Sequence, residues 1–320
     1  MTTPHDEPGS ASLDAGVPPR PASFSFLVNP ASGGGAAPGA VVPVARRLRD
    51  AGATVEVTYS PGPQATHDLV AAAVARGDVV VSVGGDGMLS SLAGEVARLG
   101  GTLGIVPAGR GNDFARMLGL PEDPLGQAEV LLAGATRRVD LVSCTLADHS
   151  RVVVGSVYAG VDARAAEIVD RVRWLPGPVQ YPYAAVRALA TYRPARYRVV
   201  VDGVVGEYDA ATVVVANSRY YGKGMAIAPA ADLDDGLLDV VVIEAASKRA
   251  LIRALPRVYD GRHVALPEVT VLTGARVELS AGSRRPVPVG GDGEPLGVLP
   301  SLDSPPAEVS VLPGALTVIA

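Results

Sequence analysis

The chain has 320 residues and a formal net charge of −5, and 48% of its residues are hydrophobic while only 4% are aromatic. This length allows about two domains, and the acidic balance excludes a nucleic-acid partner, because phosphate backbones are bound by clustered Lys and Arg. The two lysines, Lys223 and Lys248, lie in no GxxxxGK[ST] segment, which excludes a P-loop nucleotide site. The single cysteine, Cys144, excludes a disulfide framework and a cysteine metal site.

Residues 1–21 are rich in Pro, Ser, Gly and acidic residues and show no periodicity, which predicts a disordered tail. No apolar run approaches the roughly 20 residues that a membrane-spanning helix needs. A lone cysteine fits a reducing compartment. We therefore expect a cytoplasmic protein.

The next part of the chain, residues 22–140, alternates short apolar runs with helical patterns. Strands are predicted at 24–28, 55–57, 79–83 and 103–106, and helices at 41–48, 69–74 and 89–99. Such alternation predicts an α/β nucleotide-binding domain, a parallel sheet with helices on both faces.

From residue 141 to 320 the sequence pattern changes to runs of β-branched residues, which predict a mostly antiparallel β domain. The predicted strands are 151–158, 196–201, 211–216, 237–243, 269–272 and 277–279. Helical patterns at 163–173 and 181–192 predict a helical insert between these strands.

The first predicted strand runs directly into a glycine-rich segment that begins at Asn29 and includes Ser32 and Gly33. Consecutive glycines leave the backbone amides free to approach a phosphate. A flexible loop in which Asn29 and Ser32 only form turns explains this segment equally well.

The third predicted strand ends in the turn Gly84, Gly85, Asp86 and Gly87, and a helix follows. Glycines at a helix N-terminus are suited to a pyrophosphate. A carboxylate would repel phosphate, so the chemistry of Asp86 suits Mg²⁺ or its bound waters. The structural alternative is an Asp that caps the helix.

The fourth predicted strand also ends in a glycine-rich turn, which contains Gly109, Arg110, Asn112 and Asp113. Helix capping explains Asn112 and Asp113 by themselves. Capping does not explain why three such turns follow successive strands of one predicted sheet, where ligands collect at the carboxyl ends.

Two acidic segments lie in the second half. Asp232 to Gly236 are consistent with an acidic turn before a strand, and Asp292 and Glu294 are consistent with a solvated hairpin turn. A carboxylate within reach of an acceptor hydroxyl can also act as a general base. The spacing does not decide between Asp292, which we prefer, and Glu294.

Together these segments resemble the diacylglycerol kinase catalytic family, including its bacterial lipid kinases and the related sphingosine and ceramide kinases. The resemblance covers about residues 24–320 and depends on segments that occur in a consistent order: NPASGGG, GGDGM, GIVPAGRGNDFAR, DLDDGLLDVVVI and GGDGE.

The resemblance implies an ATP site over the glycine-rich turns and a nucleotide contact at Thr58, with Ser60 as the neighbouring alternative. It also implies a structural Mg²⁺ held by the Asp235 carboxylate and by the backbone carbonyls of Asp232 and Leu237. The general base is implied to come from Asp292 and Glu294.

Two positions depart from the family pattern. Met88 stands where the family has Thr, and Arg110 stands where it often has a hydroxyl residue. The guanidinium of Arg110 is suited to phosphate, so these departures predict a variant site that still functions.

We expect an ATP- and Mg²⁺-dependent lipid kinase that phosphorylates the hydroxyl of diacylglycerol or a similar lipid. One alternative is a nucleotide-binding regulatory protein that has lost catalysis, and another is a kinase of a soluble acceptor such as NAD. Transient contact with the inner membrane face is expected through Arg164, Arg171 and Arg173 beside Trp174, although a solvated helix face explains them too. The oligomeric state is open, and a homodimer is one option.

Overall fold

The computed structural model describes residues 23–35, 37–59, 63–147, 149–172, 174–175 and 177–320. The predicted tail at 1–21, the alternative contact Ser60 and the predicted membrane contact Arg173 lie outside the described residues. Within the described residues, no helix has the length and apolarity needed to cross a bilayer.

The first half contains the elements β1 (Ser23–Val28), α1 (Ala37–Asp50), β2 (Thr54–Tyr59), α2 (Pro63–Ala75), β3 (Val79–Gly84), α3 (Asp86–Arg98), β4 (Thr102–Pro107), α4 (Asp113–Met117) and α5 (Pro124–Ala133). All six residues of β3 are buried, as expected for a parallel strand covered on both faces. The four strands pair in parallel in the order β2-β1-β3-β4. Helices α1 and α5 pack on one face of this sheet and helices α2 and α3 on the other.

The second half begins with β5 (Thr136–Leu146), β6 (His149–Val153), β7 (Ser156–Gly160), α6 (Val161–Arg171), α7 (Gly177–Thr191), β8 (Ala195–Val201) and β9 (Val204–Ala216). It continues with β10 (Leu238–Glu244), α8 (Lys248–Tyr259), β11 (Val269–Gly274), β12 (Arg276–Gly282), β13 (Pro288–Gly291), β14 (Glu294–Val298) and β15 (Ala307–Ile319). Pairing among these strands is antiparallel. The predicted fold class, a parallel α/β domain followed by an antiparallel β domain with a helical insert, is therefore confirmed.

The last strand joins the two halves. β15 pairs in parallel with β4 through Thr317 and Val318, and it pairs antiparallel with β5 and β12. β5 itself runs across residue 140, where the sequence predicts the end of the first domain. The two halves are thus connected by continuous backbone pairing as well as by the chain.

Several elements differ from the sequence prediction, and strands β5 and β15 are among those that were not predicted. The predicted strand 151–158 is divided into β6 and β7, because the amides of residues 154–156 donate to the carboxylate of Asp292, in the turn between β13 and β14. Helices α5 and α8 were not predicted. In α8, Pro256 lies inside the helix, and such a residue weakens a helical pattern.

Gly160, at the junction of β7 and α6, is required for a close approach as well as for its backbone conformation. Its φ is 103°, and a Cβ there would lie 2.5 Å from the carbonyl oxygen of Ala211 and 2.5 Å from the Tyr197 hydroxyl. Gly203 is a matched control, since its φ is 85° but a Cβ would meet no atom within 4 Å.

We expect Gly203→Ala to lower the free energy of unfolding by about 1–2 kcal/mol, the cost of left-handed backbone for a residue with a Cβ. Gly160→Ala should cost about 1–3 kcal/mol more, because a buried clash is added to the same strain. Urea denaturation of both variants measures the difference. Equal costs would contradict the close approach at Gly160.

Candidate active site

The turns that follow β1, β3 and β4 meet at the carboxyl edge of the parallel sheet. Gly85 and Gly109 are in backbone contact, since a Cβ on Gly109 would lie 2.3 Å from the Cα of Gly85. The amide of Asn29 donates to the carbonyl of Val83 at 3.0 Å, which ties the first turn to the third strand. Residues with side chains would separate these turns, so the glycines allow one continuous crevice.

Most of the predicted nucleotide-binding residues line this crevice. They are Asn29, Ser32, Gly33, Gly85, Asp86, Gly87, Gly109, Arg110 and Asp113. Asn112 lies behind the crevice with a left-handed φ of 55°, and its Oδ1 accepts a hydrogen bond of 2.8 Å from the Gly109 amide. Gly84 is the last residue of β3. Thr58 lies near the carboxyl end of the edge strand β2, away from the crevice lining.

Half-buried Asp86 and buried Asp113 form a pair of carboxylates on the crevice floor. A Cβ on Gly111 would lie 3.0 Å from Oδ2 of Asp86 and 3.3 Å from Oδ2 of Asp113, so both oxygens point to a space that a bare glycine leaves open. Burial raises the pKa of Asp86. Burial, and then the charge of Asp86, raise the pKa of Asp113 from 3.8 to about 6.

Asp113 also ties the two halves of the molecule together. Its Oδ2 accepts from the amide of Lys223 at 2.8 Å, and its Oδ1 accepts from the amide of Gly224 at 2.7 Å and from Arg116 at 2.8 Å. The loop that follows β9 is thereby held against the crevice floor.

The two departures from the family pattern have different surroundings. A Cβ on Gly84 would lie 2.9 Å from Sδ of Met88, and Met88 packs against the core between the sheet and α3. Arg110 lines the crevice, and its Nη1 donates to Oε1 of Gln180 on α7 at 2.5 Å. Met88 therefore packs under the turn, while Arg110 connects the crevice to the helical insert.

Asp292 is held by backbone amides. The amides of Val154 and Ser156 donate to its carboxylate at 2.8 and 2.9 Å, the amide of Gly155 donates at 3.1 Å, and the hydroxyl of Ser90 is a fourth donor. Asp292 has a left-handed φ of 45° and lines the crevice. Burial raises the pKa of this carboxyl, and the four donors oppose that shift.

Glu294, two residues further on, is exposed and lies over the Gly87 turn. A Cβ on Gly87 would lie 2.9 Å from Oε1 of Glu294. Between them, the amide of Gly293 donates to the hydroxyl of Tyr158 at 2.9 Å. The β13–β14 hairpin thus brings both predicted general-base candidates to the crevice that holds the glycine-rich turns.

The crevice continues into an apolar chamber, and together they form one cavity of about 510 Å³. The chamber walls come from α6, α7 and α8, and their apolar lining includes Val161, Ala165, Val169, Ala185, Leu189, Leu251, Ala254, Leu255 and Val258. Pockets of about 300–1,000 Å³ hold most small ligands. The chamber opens on the crevice beside the Asp292 hairpin.

One polar residue of the site, Asp162, was not predicted from the sequence. Asp162, in the first turn of α6, lines the chamber and accepts from Thr212 Oγ1 at 2.6 Å, and burial raises its pKa. Tyr158 and Tyr221 stand beside it with ring centroids 5.9 Å apart. An acidic residue in the first turn of a helix usually indicates capping, which is why Asp162 gave no earlier prediction.

The segment predicted to hold a structural Mg²⁺ lies outside the cavity lining. The Asp232 carboxylate is paired with Arg137 at 3.2 Å, and Oδ1 of Asp235 accepts from the Leu237 amide at 2.9 Å. Buried Asp140 holds the segment in place by accepting from the Gly236 amide at 2.8 Å. Within the described residues, no group of three or more His, Cys, Asp or Glu side chains could hold a metal ion.

A glycine-rich crevice lies at the edge of the parallel sheet, and a carboxylate hairpin from the antiparallel domain reaches over it, an arrangement suited to phosphoryl transfer. Comparison with known families agrees. Residues 23–144 match the diacylglycerol kinase catalytic domain, and residues 155–320 match the YegS C-terminal NAD kinase beta sandwich-like domain.

Curated relatives and solved structures extend the match to nearly the whole chain. A diacylglycerol kinase of Mycobacterium tuberculosis (strain H37Rv) is 36% identical over 92% of this chain and 93% of the relative. A diacylglycerol kinase of Bacillus subtilis (strain 168) is 26% identical over 74% of this chain and 77% of the relative. A crystal structure of a diacylglycerol kinase from Bacillus anthracis str. Sterne superposes with a TM-score of 0.69 at 19% identity and covers 93% of this chain and 96% of that chain. The chain therefore belongs to the diacylglycerol kinase family of lipid kinases.

Proposed function

We propose that this protein transfers the γ-phosphoryl group of ATP to the hydroxyl of diacylglycerol or a lipid of similar shape. The observation that carries the proposal is the single cavity, in which a crevice lined by backbone amides leads into an apolar chamber. A phosphoryl donor and an acyl-chain acceptor need these two environments side by side.

The nucleotide side of the proposal depends on the glycine-rich turns and on two carboxylates. Gly33, Gly85 and Gly87 line the crevice, where their amides can donate to phosphate oxygens. Asp86 and Asp113 offer hard oxygen atoms toward one open space, and this donor set suits Mg²⁺. When bound there, Mg²⁺ would neutralise charge on the phosphates.

The acceptor side of the proposal places the general base on the β13–β14 hairpin. As the acceptor oxygen bonds to the γ-phosphorus, the bond from phosphorus to the β–γ bridging oxygen breaks, ADP leaves, and the acceptor proton passes to the carboxylate of Asp292. Among the four donors to Asp292, the Ser90 hydroxyl can rotate away without moving the backbone, so the acceptor hydroxyl can take its place. Glu294 lies close enough to Gly87 to orient the acceptor or to serve as the base itself.

A second, structural Mg²⁺ site at Asp235 remains part of the proposal. The Asp232 carboxylate is occupied by Arg137, which agrees with a ligand set that uses the backbone carbonyl of Asp232 instead. The amide of Leu237 donates to Asp235, which holds the two residues together. The carbonyl oxygen of Leu237 would then be its ligand to the cation.

A direct test incubates the purified protein with labelled ATP, Mg²⁺ and a panel of acceptors that includes diacylglycerol, a sphingoid base, a polyprenol and NAD. We expect label to appear in the lipid fraction, with diacylglycerol among the accepted substrates. Label in NAD alone would favour the soluble-acceptor alternative. Nucleotide binding without transfer to any acceptor would favour a regulatory protein.

Filling the chamber should affect long acyl chains most. We expect Ala185→Phe, on the chamber side of α7, to raise KM for dioleoylglycerol by about tenfold or more, because the added ring occupies space that the chain needs. KM for ATP should not change. Kinetics with dioleoylglycerol and with dihexanoylglycerol in mixed micelles measure the effect.

The matched control is Ala72→Phe, at an exposed position of α2 on the other side of the molecule. This variant should behave as wild type with both lipids. An Ala185→Phe variant that loses activity equally with long and short chains would contradict an acyl-chain role for the chamber.

A further inference from the structure

The outer faces of α7 and α8 combine exposed apolar side chains with unpaired positive charge. Fifteen large apolar side chains are exposed in the described part of the chain, and six of them lie on these helices or just before α7. They are Trp174, Val179, Tyr183, Val186, Ile252 and Tyr259, of which Tyr259 also lines the cavity. Val179, Tyr183 and Val186 are spaced so that they share one face of α7.

The charge of this surface differs from that of the whole protein. Segments 177–193 and 245–259 contain six basic residues and no Asp or Glu, whereas the chain as a whole has a net charge of −5. The six are Arg187, Arg193, Lys248, Arg249, Arg253 and Arg257. None of them forms an ion pair within the part of the chain that the structure describes.

The inner faces of the same two helices line the apolar chamber. Ala184, Ala185 and Leu189 of α7 and Leu251, Ala254, Leu255 and Val258 of α8 lie along it. The two helices are joined where Lys248 Nζ donates to the carbonyl of Ala190 at 2.5 Å. They therefore form the wall that separates the chamber from the outside.

We propose that the outer face of α7 and α8 is the surface that docks on an anionic lipid bilayer. This inference rests on the proposed function and names the partner of that site. Exposed apolar side chains flanked by basic ones partition into the headgroup region of a bilayer, and each Lys or Arg near an anionic surface adds favourable energy. Because the chain as a whole has a net charge of −5, an anionic surface favours the orientation that presents this basic face.

Docking in this orientation places the chamber wall against the membrane. This orientation brings the cavity close to the bilayer that supplies the lipid acceptor. The previously expected contact through α6 contributes less, because Arg164 is already paired with Glu167 at 2.7 Å.

The test compares two triple variants of the full chain in vesicle co-sedimentation without nucleotide. Arg187→Gln, Arg249→Gln and Arg253→Gln together remove three charges from the proposed surface, and none of these residues lines the cavity. Arg46→Gln, Arg98→Gln and Arg276→Gln remove the same charge from α1, α3 and β12. We expect the first variant to bind vesicles of phosphatidylglycerol and phosphatidylcholine about 100-fold more weakly than wild type. The control should bind nearly as wild type, and phosphatidylcholine vesicles alone should bind all three weakly.

Equal binding of the two triple variants, or no binding of the wild type to anionic vesicles, would overturn the proposal. The proposal would also be overturned if this surface binds a second copy of the chain. In that case sedimentation velocity would show a wild-type dimer, the double variant Val179→Ser with Tyr183→Ser would be a monomer, and vesicle binding would be unchanged. Kinase assays separate this proposal from the proposed function. The surface variant should keep wild-type activity on dihexanoylglycerol in solution while losing it on vesicles, whereas failure of the wild type on both would count against the function alone.

Discussion

Replacing Asp292 by Asn is expected to lower kcat by about 10²- to 10⁴-fold, the usual contribution of a general base. Burial raises the pKa of this carboxyl, which makes it a stronger base than an exposed Asp, and three amides fix its position. KM for ATP should change little, because the crevice turns are untouched. Steady-state kinetics with diacylglycerol in micelles provide the measurement.

Asn can offer only one oxygen to the amides of residues 154–156, so this variant should also unfold at a lower temperature. Glu294→Gln is the informative partner, because the Glu294 side chain is exposed and its replacement should disturb the fold little. We expect it to lower kcat less than Asp292→Asn and to leave the melting temperature unchanged. The reverse ranking, in which Glu294→Gln abolishes turnover and Asp292→Asn retains it, would assign the base to Glu294.

Replacing Asp86 by Asn is expected to lower phosphoryl transfer by about 100-fold or more, because a carboxylate proposed to hold Mg²⁺ is removed. The fold should persist, since the Asn oxygen can still accept from the Phe114 amide, a bond of 3.3 Å in the wild type. Raising Mg²⁺ should recover part of the activity. Asp123→Asn, at the N-cap of α5, is the control and should retain both activity and stability.

Asp86→Asn should also change how the free energy of unfolding depends on pH. Asp113 has its pKa raised from 3.8 to about 6, so between these values the folded state binds more protons than the unfolded state. The free energy of unfolding therefore falls as pH rises from about 4 to 6. Removing the charge of Asp86 lowers the pKa of Asp113, so the fall should be shallower in Asp86→Asn. Denaturation curves across this pH range measure it, and an unchanged slope would contradict the coupling of the two carboxyls.

Short-range patterns predicted some parts of this molecule well. The strand at 79–83 appears as β3 because a run of β-branched residues fits a strand buried on both faces. The helical insert appears as α6 and α7 at nearly the predicted positions. The glycine-rich turns could be located from the sequence, because backbone without side chains requires glycine residues.

Other parts depend on contacts between distant residues. The division of 151–158 into β6 and β7 follows from Asp292, more than 130 residues away, which accepts the amides that a continuous strand would pair. Asp162 became part of the site only when α6 was packed against Thr212 and Tyr221. The apolar chamber is likewise a product of three helices meeting, and each helix alone has an ordinary amphipathic pattern.

The sequence by itself determined the fold class, the family resemblance and the positions of the glycine-rich turns, because periodicity and glycine placement are local properties of the chain. The tertiary structure alone decided that the Asp292 hairpin reaches the Gly87 turn, that Asp86 and Asp113 face one space, and that α7 and α8 wall an apolar chamber. These facts depend on which strands pair across the two halves and on how helices pack, and local patterns do not encode such distances.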